Sequence, residues 1–327
     1  MRVGVTGGTG FLGSFLVRDL LTKGLPVQVL ARPSHRADEL QRAGAQIIRG
    51  VLENAESIAQ AVAGADVVYH LAAKVGAPGS RKDYFEANVT GTERVLAACE
   101  QQRVGRIVYI GSLSVYGPIA EGTRIDESTA FDEHPEQRDP YSESRIAADR
   151  LVSSFAQRTG IPTVVLRPGL VYGPPRPLPL GILAFRLGKT NLVFGNPENR
   201  IPLNYVENLV DAMQVAAASG SGLQQFNIID DDNLTLRQYH AVKSSVDGSA
   251  TRFVSPWPLR VAGPITELLR PLLPMGDLRL SHRQLERSLQ NRWYDTSRIR
   301  EETGWQPLVS LVESVQRTVK APAAAQK

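Results

Sequence analysis

The first 21 residues, MRVGVTGGTGFLGSFLVRDLL, join a short apolar run to a glycine-rich turn and then to a helical pattern of apolar residues. Gly7, Gly10 and Gly13 have the spacing GxxGxxG, and Phe11 and Leu12 open the helical pattern. Glycines let the backbone turn sharply and approach a phosphate closely, while the N–H groups at a helix start face that anion. The segment therefore predicts a strand, a turn and a helix that hold the pyrophosphate of a dinucleotide.

Strand and helix patterns continue to alternate after this unit. We predict strands at 26–31, 45–49, 66–71, 106–110 and 163–167, and helices at 11–23, 55–62, 84–103 and 141–158. Such alternation is typical of an α/β protein with a Rossmann-like, doubly wound parallel sheet. We expect this core at 1–168, with returning segments near 204–230 that include a strand at 226–229. A smaller mixed substrate-binding cap is expected at 169–203 and 231–320, followed by a disordered tail at 321–327.

The composition narrows the function classes. Cys99 is the single cysteine of 327 residues, which excludes an internal disulfide and favours a reducing, cytoplasmic location. The most apolar long stretch, 256–276, is broken by prolines, arginines and an acid, so we expect no integral membrane segment and no signal peptide. The sequence contains no nucleic-acid motif and no metal-ligand spacing, so neither partner is expected.

One stretch is rich in arginine, within a chain whose formal net charge is only +4. Its members are Arg279, Arg283, Arg287, Arg292, Arg298 and Arg300. Acids interrupt the stretch, which favours a solvated helix face. The alternative is a site for the phosphates of a substrate.

Six motifs follow one another in an order that resembles a known family. They are TGGTGFLG at 6–13, YHLAA at 69–73, NVTGT at 88–92, GSLSVYG at 111–117, PYSESR at 140–145 and LRPGLVYGP at 166–174. The chain resembles an extended short-chain dehydrogenase/reductase over nearly its whole length, more weakly after about residue 240. The resemblance implies a Rossmann core, a nicotinamide cofactor and a C-terminal substrate domain.

The resemblance also implies a catalytic set. Tyr141 would exchange a proton with the substrate oxygen, Ser112 would orient that oxygen, with Ser114 as the neighbouring alternative, and Asn88 would shape the site. The family has a lysine four residues after the tyrosine, one helical turn on, where this chain has Arg145. Arginine keeps the charge that stabilises a phenolate and can donate to ribose hydroxyls, but it never deprotonates. The alternative is a degenerate site that binds cofactor without turnover.

The end of the second predicted strand bears on the choice of cofactor. An acid there would hold the ribose hydroxyls of NAD, whereas this chain has Arg32, followed by the donors Ser34, His35 and Arg36. Arginine pairs well with a 2′-phosphate, so we prefer NADP(H), with NAD(H) as the alternative. The remaining residues that we expect at the cofactor are Leu52, Leu71, Ala72, Ala73, Pro168 and Leu170, together with Tyr141 and Arg145.

Three features favour a reductase or dehydrogenase of a fairly apolar small molecule. Dehydratases of the family have an acid pair just after the catalytic serine or threonine, and this chain has none after Ser112. Nucleotide-sugar members often have asparagine where this chain has Leu170 and Val171. Apolar residues of the cap form either a substrate wall or plain core: Trp257, Leu259, Val261, Ile265, Leu268, Leu269, Leu272 and Leu273. We therefore expect an NADP-dependent ketoreductase that transfers a hydride between nicotinamide and a carbonyl or secondary alcohol.

Two other functions stay open from the sequence. The first is a nucleotide-sugar epimerase or reductase, and the second is a non-catalytic NADP(H)-binding sensor. The family commonly forms homodimers through two helices, which here would be 84–103 and 141–158. Small residues such as Ala97, Ala98, Ala147 and Ala148 suit such an interface, but they fit packing within one chain equally well.

Overall fold

The computed structural model describes residues 1–120, 122–176, 184–257 and 289–321. Its strands are β1 (Val3–Thr6), β2 (Val27–Ala31), β3 (Gln46–Arg49), β4 (Val67–His70), β5 (Arg106–Ile110), β6 (Arg124–Ile125), β7 (Thr163–Pro168), β8 (Leu170–Tyr172), β9 (Ala184–Leu187), β10 (Thr190–Phe194), β11 (Leu203–Tyr205), β12 (Leu223–Ile228), β13 (Ala250–Val254) and β14 (Trp293–Tyr294). Its helices are α1 (Phe11–Thr22), α2 (His35–Arg42), α3 (Ala55–Val62), α4 (Arg81–Phe85), α5 (Gly91–Gln101), α6 (Pro140–Thr159), α7 (Val206–Ala218), α8 (Leu236–Asp247), α9 (Ser297–Thr303) and α10 (Leu311–Lys320).

A seven-stranded sheet forms the centre of the described structure, in the order β12-β7-β5-β4-β1-β2-β3. Every neighbouring pair in it is parallel. Val3 of β1 lies opposite Val27 of β2 on one side and Val67 of β4 on the other, so the strand order reverses at β1. This arrangement confirms the predicted doubly wound α/β fold. A ligand crevice is expected at the carboxyl ends of the strands beside this reversal.

Two apolar cores cover the two faces of the sheet. One face packs against α1, α2, α7 and α9, with Leu16 and Met213 fully buried there. The other packs against α3, α5 and α6, with Ile58, Cys99 and Val152 fully buried. The strands are buried on both faces and therefore read as nearly continuous apolar runs, the pattern on which the sequence prediction depends.

Two helical regions differ from the prediction. Helix α2 is not predicted because its sequence is mostly polar, yet Ser34 caps it by accepting a hydrogen bond from the N–H of Ala37. The helix predicted at 84–103 begins earlier, because Ser80 and Asp83 form a capping box at the start of α4. A π-helical turn, Glu86–Thr90, then separates α4 from α5. Such turns interrupt regular helices and often lie at functional sites.

The chain leaves the central sheet after β7 and returns to it at β12. Between these strands, β8 pairs with β11, and β9 and β10 form a mixed sheet with β13. The domain limits at 168, 203 and 231 stay a prediction. All residues of the predicted apolar wall except Trp257 lie outside the described residues, as do Arg279, Arg283, Arg287 and residues 322–327 of the tail.

None of the described helices has the length and apolar character that crossing a membrane requires.

Candidate active site

The three glycines of the motif after β1 differ in what surrounds them. Gly7 has φ +74°, and a Cβ added there would lie 2.5 Å from the backbone nitrogen of Ala72. A Cβ on Gly13 would lie 2.2 Å from the carbonyl oxygen of Gly7. A Cβ on Gly10, in contrast, would meet only the oxygen of Gly7, at 3.1 Å. Gly7 and Gly13 are therefore required by internal packing, while Gly10 keeps an outer face open.

This open face fits the pyrophosphate of a dinucleotide. Gly10 is the N-cap of α1 and is exposed, and its residue type supplies no side chain to cap the helix. The first N–H groups of α1, from Phe11 and Leu12, are therefore left for an external acceptor, and the helix dipole favours an anion there. Gly10, Phe11 and Leu12 are the residues that would hold the pyrophosphate.

The other predicted cofactor residues follow the carboxyl ends of neighbouring parallel strands, so the fold brings them to one edge of the sheet. Arg32 follows β2 and is exposed, and Leu52 follows β3 and packs against Gly91 at the start of α5. Leu71, Ala72 and Ala73 follow β4 and are half-buried, Pro168 ends β7 and is buried, and Leu170 begins β8 with 37% of its surface exposed. The predicted set thus follows the edge of the sheet at which its strands end, with Leu52 packed against a helix, and its contact with a cofactor stays a prediction.

Tyr141 lies in the first turn of α6, which begins with Pro140 after the N-cap Asp139. Its ring is half-buried and packs edge-on against the ring of Tyr84, with centroids 6.4 Å apart. No described residue forms a hydrogen bond with its hydroxyl. The phenol therefore keeps its hydrogen-bonding capacity for a ligand. The sequence analysis did not single out Tyr84, because its aromatic ring within a helix looks like ordinary core.

Ser112 comes two residues after β5 and caps the short 3₁₀ helix Leu113–Val115. Its Oγ accepts a hydrogen bond from the N–H of Ser114 at 3.1 Å, which leaves its own hydroxyl proton for another acceptor. The hydroxyl of Ser114 is buried, and no described residue partners it. The 3₁₀ turn thus gives the two serines different surroundings: both residues are half-buried, but the Oγ of Ser114 is enclosed, whereas that of Ser112 accepts the turn hydrogen bond and keeps its proton for a further acceptor.

Arg145 lies one turn behind Tyr141 on α6 and is only 3% exposed. Its guanidinium is 5.1 Å from the ring centre of Tyr109 and donates a hydrogen bond to the carbonyl of Ile110, the last residue of β5. Because Ile110 precedes Ser112 by two residues, Arg145 ties the helix that carries Tyr141 to the strand that leads to Ser112. Its Nε–H is buried and has no acceptor among the described residues. A ribose contact for Arg145 stays a prediction.

A buried ion pair lies further along the same face of α6. Asp149 follows Arg145 by four residues and accepts two hydrogen bonds of 2.9 Å from Arg167 of β7. The side chains are 0% and 1% exposed, respectively. Asp149 interacts electrostatically with both arginines, so two buried cations share this one acid. The spacing 141, 145, 149 on one helix is the signal that could have found Asp149 from sequence.

Asn88 lies in the π-helical turn and is fully buried. Its side chain accepts a hydrogen bond from the backbone N–H of Lys74 at 2.6 Å and donates to the Lys74 carbonyl at 3.2 Å. It also donates to Ser144 at 2.9 Å, and Ser144 in turn donates to the carbonyl of Tyr141. Asn88 therefore links the segment after β4 to the first turn of α6 through hydrogen bonds.

His70 at the end of β4 stabilises the same region from behind. Thr92 donates to the carbonyl of Asn88, so its Oγ1 accepts from Nε2 of His70 at 2.9 Å, and Nδ1 accepts from Thr6 at 2.6 Å. Burial, and secondarily the charge of Arg145, lowers the pKa of His70 to about 3. The imidazole is therefore neutral, and each of its ring nitrogens has a hydrogen-bond partner. These contacts favour a structural role over that of a proton donor.

The described part of the arginine-rich stretch is committed to contacts within the protein. Arg298 pairs with Glu302 of the same helix, Arg300 donates to the carbonyl of Asp230, and Arg292 reaches the carbonyl of Tyr116. Over the described ranges no cluster of histidine, cysteine and acidic residues could hold a metal ion.

Comparison with known proteins places the chain in a family. The model of the NAD dependent epimerase/dehydratase family matches residues 3–228, which include the glycine turn, Ser112, Tyr141 and the whole central sheet. The chain belongs to this family. Like other members of the epimerase/dehydratase family, it is an extended short-chain dehydrogenase/reductase, as the order of its six motifs suggested.

Similar proteins include a 2-alkyl-3-oxoalkanoate reductase of Stenotrophomonas maltophilia, 34% identical over 99% of this chain and 100% of that protein. A 4-hydroxy-2-methyl-3-oxo-4-farnesyl-3,4-dihydroquinoline-1-oxide ketoreductase of Stigmatella aurantiaca is also 34% identical, over 73% of this chain and 71% of its own. Among solved structures, the Thermus thermophilus UDP-glucose 4-epimerase in complex with NAD is 25% identical, with a TM-score of 0.70 over 98% of both chains.

As a member of the epimerase/dehydratase family with reductases among its relatives, the protein is an NAD(P)-dependent oxidoreductase that acts on a carbonyl or alcohol group. The fold and this coarse activity confirm the expectation from sequence. The roles of individual site residues stay predictions.

Proposed function

We propose that the protein is an NADP(H)-dependent ketoreductase of a fairly apolar 3-oxo compound. The observation that carries this proposal is the place of Tyr141. Its phenol has no hydrogen-bond partner among the described residues, and a buried cation one turn behind it is tied to the strand that leads to Ser112. This is the arrangement that protonation of a substrate oxygen requires.

Within this proposal each residue has a defined task. When bound, the nicotinamide cofactor supplies the hydride that reduces the carbonyl carbon. Ser112 donates its free hydroxyl proton to the carbonyl oxygen and fixes its position, and Tyr141 gives that oxygen its proton. The charge of Arg145 stabilises the phenolate that this transfer leaves. In the direction of oxidation the same groups take the proton back.

The preference for NADP(H) is supported by Arg32 at the end of β2. Arg32 is exposed, and no described acidic side chain forms an ion pair with it. A guanidinium without a partner suits the 2′-phosphate of NADP(H), whereas the ribose hydroxyls of NAD are usually held by a carboxylate at this place.

The substrate class is supported by the relatives and by the crevice. The names of two relatives contain an alkyl chain or a farnesyl group beside an oxo group. On the side of this chain, Leu170 of β8 is 37% exposed and Val171 is half-buried, so apolar surface stands where nucleotide-sugar enzymes present amides. A 3-oxo acid with an alkyl substituent is the first substrate to test.

The test is NADPH consumption with a panel of 2-alkyl-3-oxo acids and with UDP-, TDP- and GDP-sugars. We expect turnover on the oxo acids that Tyr141→Phe reduces at least about 100-fold, with cofactor affinity unchanged in a fluorescence titration. Turnover that survives in Tyr141→Phe contradicts the proposed mechanism. Epimerisation of a nucleotide sugar would establish the alternative function. Tight cofactor binding without turnover on the panel would favour the sensor.

We also propose a cytoplasmic homodimer that pairs through α5 and α6. The outer faces of these helices carry the small residues Ala97, which is exposed, and Ala147, which is half-buried. Light scattering of the wild type and of an Ala97→Arg variant tests this, since a bulky charge at the helix contact should yield monomers.

A further inference from the structure

Lys74 lies four residues after β4, and contacts along its whole length hold it in place. Its backbone N–H and carbonyl both bond to the side chain of Asn88, at 2.6 and 3.2 Å respectively. Its stem packs against Gly79, where an added Cβ would lie 2.5 Å from Cε of the lysine. Its ammonium lies over the ring of Tyr84, and the residue is half-buried. These contacts restrict a side chain whose four-carbon stem is otherwise flexible.

The ring of Tyr84 neighbours both this ammonium and the ring of Tyr141. Tyr84 is buried, and its hydroxyl donates to the carbonyl of Ala77 at 2.7 Å, in the loop that also contains Gly79. The Lys74 nitrogen is 5.5 Å from the centre of the Tyr84 ring, and the centre of the Tyr141 ring is 6.4 Å from the same point. The ammonium and the centre of the Tyr141 ring are therefore at most about 12 Å apart.

The other cations beside Tyr141 are already engaged, whereas Lys74 is not. Arg145 donates to a backbone carbonyl of β5, and Arg81 of α4 forms two hydrogen bonds with Glu143. Over the described ranges no acid forms an ion pair with Lys74. Asp83 interacts with it electrostatically, but the Asp83 carboxylate accepts a hydrogen bond in the capping box of α4. Lys74 therefore keeps its three N–H donors for an anionic ligand.

A 3-oxo acid carries its anion at a distance that fits this separation. Three carbons join its oxo oxygen to its carboxylate. With one hydrogen bond of about 2.8 Å to the Tyr141 phenol and another to the Lys74 ammonium, such a molecule spans roughly 10–12 Å from ring centre to nitrogen. An ester or a simple ketone has no negative charge at that end. Because a half-buried cation is stabilised by a charged partner, the acid gains a contact that the neutral compounds lack.

We propose that Lys74 binds the carboxylate of a 3-oxo acid and is a specificity-determining residue that distinguishes the free acid from its esters and from simple ketones. The inference rests on the proposed function, since it assumes that Tyr141 protonates the oxo oxygen. An ammonium suits this task because its three donors can follow a carboxylate whose position changes with the alkyl substituent. The ring of Tyr84 stabilises the cation before the substrate binds.

The experiment follows oxidation by the full-length protein, with NADP⁺ or NAD⁺, whichever the wild type uses. The substrates are a 2-alkyl-3-hydroxy acid, its methyl ester and a secondary alcohol of the same chain length, which are stable in solution. The variants are Lys74→Met, which keeps the stem and removes the charge, and Lys74→Arg. Lys82→Met is the matched control, because Lys82 is exposed on α4 and also interacts electrostatically with Asp83.

We expect the wild type to prefer the acid to its methyl ester at least about tenfold in kcat/KM, as one charge-assisted hydrogen bond allows. Lys74→Met should lower kcat/KM for the acid about tenfold, mainly through KM. Its values for the ester and the alcohol and its melting temperature should match the wild type. Lys74→Arg should keep part of the preference, because arginine retains the charge. Lys82→Met should behave as wild type.

An unchanged preference for the acid in Lys74→Met overturns the inference and leaves the ketoreductase proposal intact. Equal losses on the acid and the ester also overturn it, since Lys74 would then serve the cofactor or the fold. A wild type that uses acid and ester equally overturns it as well. Absence of turnover on all three compounds overturns the proposed function itself, and this inference with it.

Discussion

Replacing Asp149 by asparagine should be among the most destabilising single changes on α6 that conserve side-chain shape. The carboxylate is fully buried and accepts two 2.9 Å hydrogen bonds from Arg167. It also interacts electrostatically with Arg145. Its loss leaves two buried guanidinium groups without a compensating charge. Breaking a buried pair in this way costs about 3–5 kcal/mol. For a chain of 327 residues that corresponds to a fall in melting temperature of roughly 4–7 °C.

An exposed ion pair between α5 and α6 offers the control. Glu100 of α5 and Arg158 of α6 also form two hydrogen bonds of 2.9 Å, but their side chains are 42% and 62% exposed, respectively. Water and salt screen an exposed pair, so Glu100→Gln should leave the urea midpoint within error of the wild type. Both variants replace a carboxylate by its amide, and the pairs differ in burial and in the second cation, Arg145, with which Asp149 interacts.

Urea unfolding followed by circular dichroism measures both variants, at pH 7 and at two salt concentrations. Equal losses for Asp149→Asn and Glu100→Gln would refute the reasoning, because burial would then not decide the value of the pair. The double variant Asp149→Leu with Arg167→Met should recover only part of the loss. Arg145 still lacks an acid in that variant, so full recovery would show that Asp149 does not serve it.

Two further predictions concern the glycine turn and a buried acid. Gly13→Ala should lower the melting temperature sharply, because its Cβ would lie 2.2 Å from the Gly7 oxygen. Gly10→Ala should fold normally and weaken cofactor binding at least about tenfold in a fluorescence titration. Normal cofactor affinity in Gly10→Ala would contradict a close approach of the pyrophosphate to this residue. Burial raises the pKa of Asp230 to about 7, above its value in the unfolded chain. Between about pH 4 and 7 the folded state therefore binds a proton that the unfolded state has lost. The free energy of unfolding falls as the pH rises through that window. Asp230→Asn should remove about 4 kcal/mol of this pH dependence of the free energy of unfolding, and an unchanged slope would assign it to another group.

The fold could be predicted because its strongest signals are local. The strand, glycine turn and helix at the start of the chain, and the buried strand before His70, are each determined by residues within a few positions of one another. Helix α2 escaped prediction because only Ala37 and Leu40 are buried within it, too few to mark a period. Its signal was the capping serine, Ser34.

The candidate site could be predicted only as a set of residue types. Order along the chain identifies Ser112, Tyr141 and Arg145, but where a long side chain points depends on elements far away in sequence. Arg145 contacts Ile110, 35 residues away, and Arg176 contacts Phe11, 165 residues away. The π-helical turn that positions Asn88 leaves no mark in apolar periodicity, since it adds a single residue to one helical turn.

Cys99 gives the folded chain a built-in reporter. The thiol is fully enclosed where α5 meets the sheet, and burial raises its pKa to about 12. The thiolate is the nucleophile that attacks an alkylating reagent, so this sulfur is labelled only while α5 has detached. Because the sequence holds no second cysteine, the labelling rate reports the opening of α5 alone. A bound nucleotide that slows the labelling would therefore stabilise the chain as far as this helix.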